Sequence, residues 1–394
     1  MTPFDFIASK MFEFRAPQII HFGLGCLKKV GSEAARFGKR ALLVSDQNIQ
    51  KAGYVAQALE QIKAAGVEAA VYDQVNTEPT DKIVDEGLRV YKDNKCDMAI
   101  ALGGGSPIDT AKAIAALATN TARVSEFMGL NKITKPAAPI IAIPTTAGTG
   151  SEVTRFTIIT DTARDVKMLI VSDFLMPQAA IVDPLLTPSM PGWVAASTAI
   201  DALTHAIESY ISRKAQPLTE TLALEAIRLI GAYLRRAWAN PEDLEAKNYV
   251  MLASTVAGMA FSNSSVAMVH GMSRPIGACF HVPHGLSNAI LLPLVMEFSR
   301  VAAPEKFADI AEAMGEDIEG LTEMDAAQAA VEAVHQLCGD IQIPRATDLK
   351  LKQEDFMRMA PKMAEDALAS GSPGNNPRRP TKEEIIEVYG KLFK

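Results

Sequence analysis

The sequence predicts two units: an α/β unit on a parallel sheet over residues 1–188, and an all-helical unit over residues 189–394. Two observations carry this. In the first half, short β-rich runs alternate with helical patterns, as strands paired in parallel and covered on both faces do. From about Ser189 strand-like runs almost vanish, and Ala/Leu/Ile-rich helical patterns continue to the end. At about 150 residues per domain, 394 residues suffice for two or three.

The strand-like runs are Arg40–Asp46, Val67–Val75, Asp97–Leu102 and Pro139–Thr146. Helical patterns lie between them at Val55–Ala65, Thr80–Lys95 and Ser106–Thr119; the second places Ile83, Val84, Gly87, Leu88 and Tyr91 on one face. Three further strand-like runs, FTIITD, KMLIVSD and AAIVDP, fill Phe156–Asp183, and Pro184, Pro188 and Pro191 punctuate the crossing. The helical patterns are Ala195–Ser212, Leu218–Trp238, Leu244–Ser262, Ser287–Phe298, Pro304–Met314 and Ala326–Cys338, with Thr255–Val269 also reading as helical. Ser370–Pro380 is a loop whose turn-rich composition needs outside contacts to order it.

Composition narrows the function. Hydrophobic residues at 48% and charged residues at 22% exclude a disordered chain. A formal charge of −7 without a long basic run argues against nucleic acid and anionic membranes as partners. No stretch reaches the roughly 18 apolar residues of a membrane helix. MTPFDFIASKMFEF carries Asp5 and no basic segment ahead of an apolar core, so it does not read as a secretory signal. Cys26, Cys96, Cys279 and Cys338 form no CxxC pair, and a reduced, cytoplasmic location is the expectation.

Two places can hold an anion or a nucleotide. Gly23-Leu-Gly25 is not a dinucleotide fingerprint, because Lys28 stands at the third glycine position; it reads as a turn before a helix. Gly103-Gly104-Gly105-Ser106-Pro107 is stronger. It follows a buried-strand pattern and opens a helix, with Ser106 and Pro107 expected at the N-cap and first helical position. Free N–H groups there favour a phosphate, although a plain strand-to-helix turn uses the same residues. Pro144-Thr145-Thr146-Ala147-Gly148-Thr149-Gly150-Ser151 leaves another strand end, where open α/β sheets bind ligands. Asp46 also ends a strand. It can accept from ribose hydroxyls and repel a 2′-phosphate, favouring NAD over NADP, or it can cap a helix.

A metal can be held elsewhere. Of six histidines, His205, His270 and His284 accompany Asp201 in helical texture, with Asp201 and His205 four apart on one face. One carboxylate and three neutral imidazoles leave a divalent ion net positive and suit Fe, Zn, Mn, Co or Ni. The alternative makes Asp201, His205, Glu208 and Ser212 a solvated stripe. His281 either lines a cavity or caps a turn, while His21 and His335 read as structural.

In order, GGGSPIDTAK, PTTAGTGSEVT, DALTHAIESY, MVHGM, PHGLSNAILLP and NPR resemble the iron-containing (group III) alcohol dehydrogenase family over essentially the whole chain. The resemblance implies a Rossmann-like nucleotide-binding unit, a helical unit and the architecture shared with dehydroquinate synthase. It implies a metal, Fe2+ with Zn2+ or another divalent ion as alternatives, held by Asp201, His205, His270 and His284. It further implies NAD contacts at Asp46, Gly103, Gly104, Gly105, Ser106, Thr145, Thr146, Thr154, Lys167 and Leu185, and a homodimer or larger assembly.

The pattern departs from the family at three points. Arg274 stands where many members have a further His, Glu78 replaces the Asn of a PNPT motif, and the SGSPGNNPR loop is longer. The expected function is hydride transfer between a small alcohol and NAD. The alternative is a non-redox metal/NAD enzyme on the dehydroquinate synthase scaffold. If the helix continues past His270, Arg274 lies one turn on along the same face. There it could clamp an anionic substrate, pair with an acid, or hold the Ser370–Pro380 loop. Phe156 and Phe261 read as pocket walls or as core.

Overall fold

The computed structural model describes residues 11–187 and 192–393, so the unit boundary placed near Pro188, and Pro191, lie outside the described residues. The chain order begins β1 (Ile19–Phe22), α1 (Val30–Phe37), β2 (Arg40–Val44), α2 (Gln47–Lys51), α3 (Tyr54–Ala64), β3 (Glu68–Tyr72), α4 (Asp81–Asp93), β4 (Met98–Gly103) and α5 (Gly105–Thr119). There follow β5 (Gly129–Leu130), β6 (Ile140–Pro144), β7 (Phe156–Asp161), β8 (Val166–Val171) and β9 (Ala179–Val182). The remaining helices are α6 (Gly192–Ile211), α7 (Pro217–Ala239), α8 (Leu244–Asn263), α9 (Met268–Phe280), α10 (His284–Ser299), α11 (Pro304–Met314), α12 (Glu323–Asp340), α13 (Gln353–Ala369) and α14 (Lys382–Lys391).

The main sheet is parallel, in the order β1-β9-β6-β4-β2-β3. Alternate residues on its strands serve two cores. Leu42, Val44, Ala99, Ala101, Ile140 and Ala142 face α4 and α5, whereas Ala41, Leu43, Met98, Ile100, Ile141 and Ile143 face α1 and α3. Burial on both faces explains why these strands read as unbroken apolar runs. Strands β8 and β7 pair antiparallel in a second, three-stranded sheet, with β5 alongside β8. β1 has no strong sequence signal; it forms because Ile19–Phe22 pairs with β9 at the sheet edge.

The strand order fixes where a ligand can enter. From β2 the chain moves to β3 on one side, then crosses to β4 on the other. That reversal opens a crevice beyond the carboxyl ends of β2 and β4. Asp46 follows β2, and Gly103–Gly105 follow β4. The neighbouring pair Gly103↔Pro144 sets the threonine-rich loop after β6 beside the glycine turn.

In the helical unit, α6 is buried along nearly its whole length from Ala196 to Ile211. α8 ends at Asn263 and α9 starts at Met268 after a bend of 103°. The helical reading of Thr255–Val269 is thus interrupted, and His270 falls in the first turn of a new helix. Among the described residues, no single helix is long and apolar enough to cross a membrane. Asn375 donates to Ser265 Oγ (2.9 Å), Asn376 to Ser299 Oγ (2.9 Å), and Arg378 lies over Phe298, which together order the Ser370–Pro380 loop.

The seam between the units depends on glycine. Gly150, at φ +59°, lies against Gly258 of α8; a Cβ on Gly258 would meet Val153 Cγ2 at 2.7 Å and Gly150 Cα at 2.8 Å. Gly258→Ala should therefore cost about 1–3 kcal/mol by overpacking, less the roughly 1 kcal/mol that alanine gains in a helix. Gly339→Ala, with open space at its Cβ, should be neutral or stabilising. Thermal melting of the two variants checks the contrast.

Candidate active site and metal centre

The polar residues of α6 must find partners inside the protein. Asp201, His205, Glu208 and Ser212 are all buried, which overturns the solvated-stripe reading. The reason is packing: α7, α8 and α10 enclose α6. Gly285 lets α10 come close, since a Cβ there would stand 2.8 Å from the Ser197 carbonyl oxygen. His284 is thereby the first residue of α10, beside Asp201.

Ligand atoms of Asp201, His270 and His284 all lie within 4.8 Å of one another. Asp201 Oδ1 is 3.6 Å from His270 Nε2 and 3.7 Å from His284 Nε2. His205 lies outside this group, its ring stacked on His270 at 4.5 Å and on Phe261 at 4.1 Å between centroids. Its Nδ1–H donates to the Gly148 carbonyl at 3.3 Å, which leaves the lone pair on Nε2.

Two partners escaped the sequence reading. Glu208 accepts from His270 Nδ1–H at 2.6 Å and from the Val269 amide at 2.5 Å. This bond puts the His270 lone pair on Nε2, facing Asp201, as a metal ligand requires. Asn288, one turn after His284, donates to Asp201 Oδ1 at 2.5 Å, with its Nδ2 also 3.2 Å from His270 Nε2 and 3.3 Å from His284 Nε2. Their only signal was spacing: Glu208 is three residues from His205, and Asn288 four from His284.

Burial sets the protonation of this cluster. It pulls His205 down to about 4, His284 to about 3, and His270 well below its ordinary value. The imidazoles are therefore neutral at pH 7, the form that coordinates a metal. Burial also raises Asp201 and pushes Glu208 up to about 7, with hydrogen bonds from Asn288 and from backbone amides, respectively, pulling the other way. A carboxylate oxygen and two imidazole nitrogens converging on one point suit a borderline divalent cation.

The nucleotide-binding candidates separate into those that line the crevice and those already engaged. The helix starts two residues earlier than its expected cap: Gly104 is the N-cap and Ser106 the second helical residue, because the glycine turn itself bends into α5. Cβ atoms on Gly104 and Gly105 would meet the side chains of Thr146 at 3.2 Å and Thr149 at 3.0 Å. The Thr145 amide donates to Gly103 (3.0 Å), and buried Thr146 Oγ1 has no hydrogen-bond partner among the described residues. That orphaned hydroxyl beside a glycine cradle fits a polar ligand.

Asp46 Oδ1 caps α2 through the amides of Asn48 (2.8 Å) and Ile49 (3.1 Å). Lys167 pairs with Glu78 at 2.7 Å, so the departure at Glu78 bears directly on it. Thr154 Oγ1 lies 3.0 Å from Lys112 Nζ, and the Leu185 carbonyl accepts from Tyr54 OH at 3.2 Å.

The other candidates sort by surroundings. Phe156 stacks on Phe261 at 5.9 Å, which continues the aromatic wall from His205. Arg274 lies one turn beyond His270 on α9 and donates to Ser372 Oγ at 3.2 Å. His281 caps α9 in the left-handed conformation (φ 56°) with its side chain exposed, so the turn-cap reading holds. His21 is hydrogen-bonded to Glu33 (2.9 Å).

Comparison with known proteins accords with this geometry. Residues 17–184 match the model of "Iron-containing alcohol dehydrogenase", and residues 195–393 that of "Fe-containing alcohol dehydrogenase family, C-terminal". The chain is 42% identical to a 1,3-propanediol dehydrogenase of Klebsiella pneumoniae over 98% of its own length and 99% of the relative's. A solved 1,3-propanediol oxidoreductase superposes with a TM-score of 0.94 at 43% identity, covering 98% of this chain and 100% of that one. A sulfoacetaldehyde reductase of Bifidobacterium kashiwanohense, solved with NAD+, superposes at 0.85 with 28% identity, over 98% and 99% of the two chains. These matches set aside the non-redox alternative: the chain belongs to the iron-containing alcohol dehydrogenase family and is an oxidoreductase acting on CH–OH groups.

Proposed function

We propose that the chain carries out reversible hydride transfer between NAD and a small alcohol or aldehyde bearing an anionic group. The observation behind the anionic specificity is Arg274. Among the described residues no carboxylate lies within 4.0 Å of its guanidinium, and its one side-chain partner is the Ser372 hydroxyl. Burial lowers its pKa, and Glu208 counters the fall. A guanidinium stays charged in proteins, so a half-buried one with no carboxylate in contact favours an anion brought by the substrate. The sulfoacetaldehyde reductase among the relatives is named for such a substrate.

In this reading Asp201, His205, His270 and His284 hold a divalent metal, Fe2+ in the first instance. Gly103, Gly104, Gly105, Ser106, Thr145 and Thr146 hold the NAD pyrophosphate at the start of α5. With Oδ1 committed to α2, Asp46 Oδ2 is left to accept from a ribose hydroxyl and to disfavour a 2′-phosphate. When bound, the metal supplies Lewis acidity toward the substrate oxygen and NAD takes or gives the hydride. Glu208 keeps His270 in the ligand tautomer, and Asn288 holds the Asp201 carboxylate. Phe156 and Phe261 exclude water beside the imidazoles. Arg274 orients the far end of the substrate. Thr154, Lys167 and Leu185 are retained as cofactor contacts on the resemblance alone.

Anaerobically Fe(II)-loaded protein should consume NADH with short aldehydes, preferring anionic over neutral ones of equal length, and a chelator should abolish this. Arg274→Ala should raise KM for the anionic aldehydes by about 10–100-fold, as loss of a charge-assisted hydrogen bond does. An equal loss on neutral aldehydes discards the clamp. Glu208→Ala should weaken metal binding about 10–100-fold. Competition against a chromophoric chelator measures that directly, with circular dichroism confirming the fold.

A further inference from the structure

Lys112 is the most enclosed charge in the α/β unit. It sits two turns into α5, in a stretch otherwise apolar from Ala111 to Ala118, and is fully buried. Its Nζ meets five oxygens: Ser151 O at 2.7 Å, Ser151 Oγ at 3.1 Å, Thr154 O at 2.9 Å, Thr154 Oγ1 at 3.0 Å and Phe156 O at 2.8 Å. Three of these are backbone carbonyls, two from Ser151 and Thr154 in the connection that leads into β7 and one from Phe156, the first residue of that strand. Asp109, one turn earlier, ties down the same segment. It accepts from Ser151 Oγ at 2.6 Å and from the Ile158 amide at 2.8 Å. At its other side Glu152 accepts from Thr255 of α8 at 2.7 Å, so the segment joins α5 to the helical unit.

What the segment carries gives the arrangement its consequence. Ser151 directly follows the loop whose Thr146 and Thr149 side chains stand against Gly104 and Gly105. The Ser151 amide also donates to Thr149 Oγ1 at 3.3 Å. The helix that opens at the glycine turn therefore reaches back through Lys112 to hold the opposite wall of the same crevice.

We propose that Lys112 is a positioning residue for the cofactor. Its ammonium is a built-in cation around which Ser151–Phe156 is wrapped, and the wrapping sets Thr146 and Thr149 over the glycine turn. This rests on the reading that the turn holds NAD. A corollary follows from the oxygen cage. With the side chain cut back, the cage accepts free ammonium, which has the same hydrogen-bonding head group.

NADH binding, followed by nucleotide fluorescence, tests this in Lys112→Ala and Lys112→Met, with hydrogen exchange of residues 149–158 measured alongside. Both variants should bind NADH at least ten-fold more weakly and exchange that segment at least ten-fold faster, while the strands of the main sheet stay protected. Ammonium chloride should restore most of the affinity of Lys112→Ala, whereas tetramethylammonium chloride at equal ionic strength should not. Lys112→Met, whose thioether fills the space, should not respond. Wild-type affinity in both variants overturns the proposal, as does an Ala variant deaf to ammonium beside a Met variant that binds normally.

If Lys112→Ala does not fold, Ser151→Ala decides by exchange: faster exchange of 149–158 supports the wrapping, unchanged exchange refutes it. Should the wild type itself fail to bind NADH, the cofactor reading falls, and the exchange measurements still judge Lys112.

Discussion

Helix α6 places two carboxylates and an imidazole in the interior of a helical bundle, and much of the surrounding structure answers that constraint. A buried carboxylate without donors is expensive, so each must be met from a neighbouring element. Glu208 is met by the first turn of α9, through the Val269 amide and the His270 ring. Asp201 is met by Asn288 of α10. His205 is met by the Gly148 carbonyl, which belongs to the α/β unit. The same contacts that satisfy the buried groups draw His270 and His284 to Asp201. In this sense the metal centre is a by-product of solving a burial problem, and its second layer of partners is as necessary as the ligands themselves.

The crevice obeys a different constraint, set by the backbone. The reversal of strand order between β2 and β4 leaves an opening that no crossover helix fills. The glycine turn and the threonine loop converge there because β4 and β6 are neighbours in register. Past that loop, Gly148 and Gly150 come against α6 and α8. One continuous segment thus lines the crevice, touches His205 and packs on the helical unit. This accounts for its density of residues without bulky side chains.

Much of this was legible in the sequence, for reasons that differ by residue. The central strands declared themselves because burial on both faces demands apolar runs, and Gly103–Gly105 because a turn into a helix packed against the loop after β6 leaves little room for Cβ. β1 was silent, since an edge strand of four residues, half exposed, needs no special composition. The break between α8 and α9 was silent because Ser264–Ala267 contains neither Gly nor Pro. Glu208 and Asn288 were hidden by a deeper ambiguity. Polar residues at helical spacing look identical whether they face water or a buried partner, and only the packing of α7, α8 and α10 around α6 tells which. Lys112 was hidden likewise: its five acceptors are mostly carbonyls, which have no sequence signature.

Lys112 is a buried cation and Arg274 a half-buried one, and donor counting separates their roles. An ammonium has three N–H donors, and Lys112 sets them among five oxygens, so nothing remains for a ligand. A guanidinium has five donors in a planar fork, and Arg274 directs one at Ser372. The unspent donors lie one turn from His270, in surroundings whose burial already disfavours the charge. A carboxylate, sulfonate or phosphonate accepts two such donors side by side, and a neutral hydroxyl cannot. The fold has therefore closed one cation off as structure and left the other with free donors on the helix that carries His270, which is the arrangement the proposed anion clamp requires.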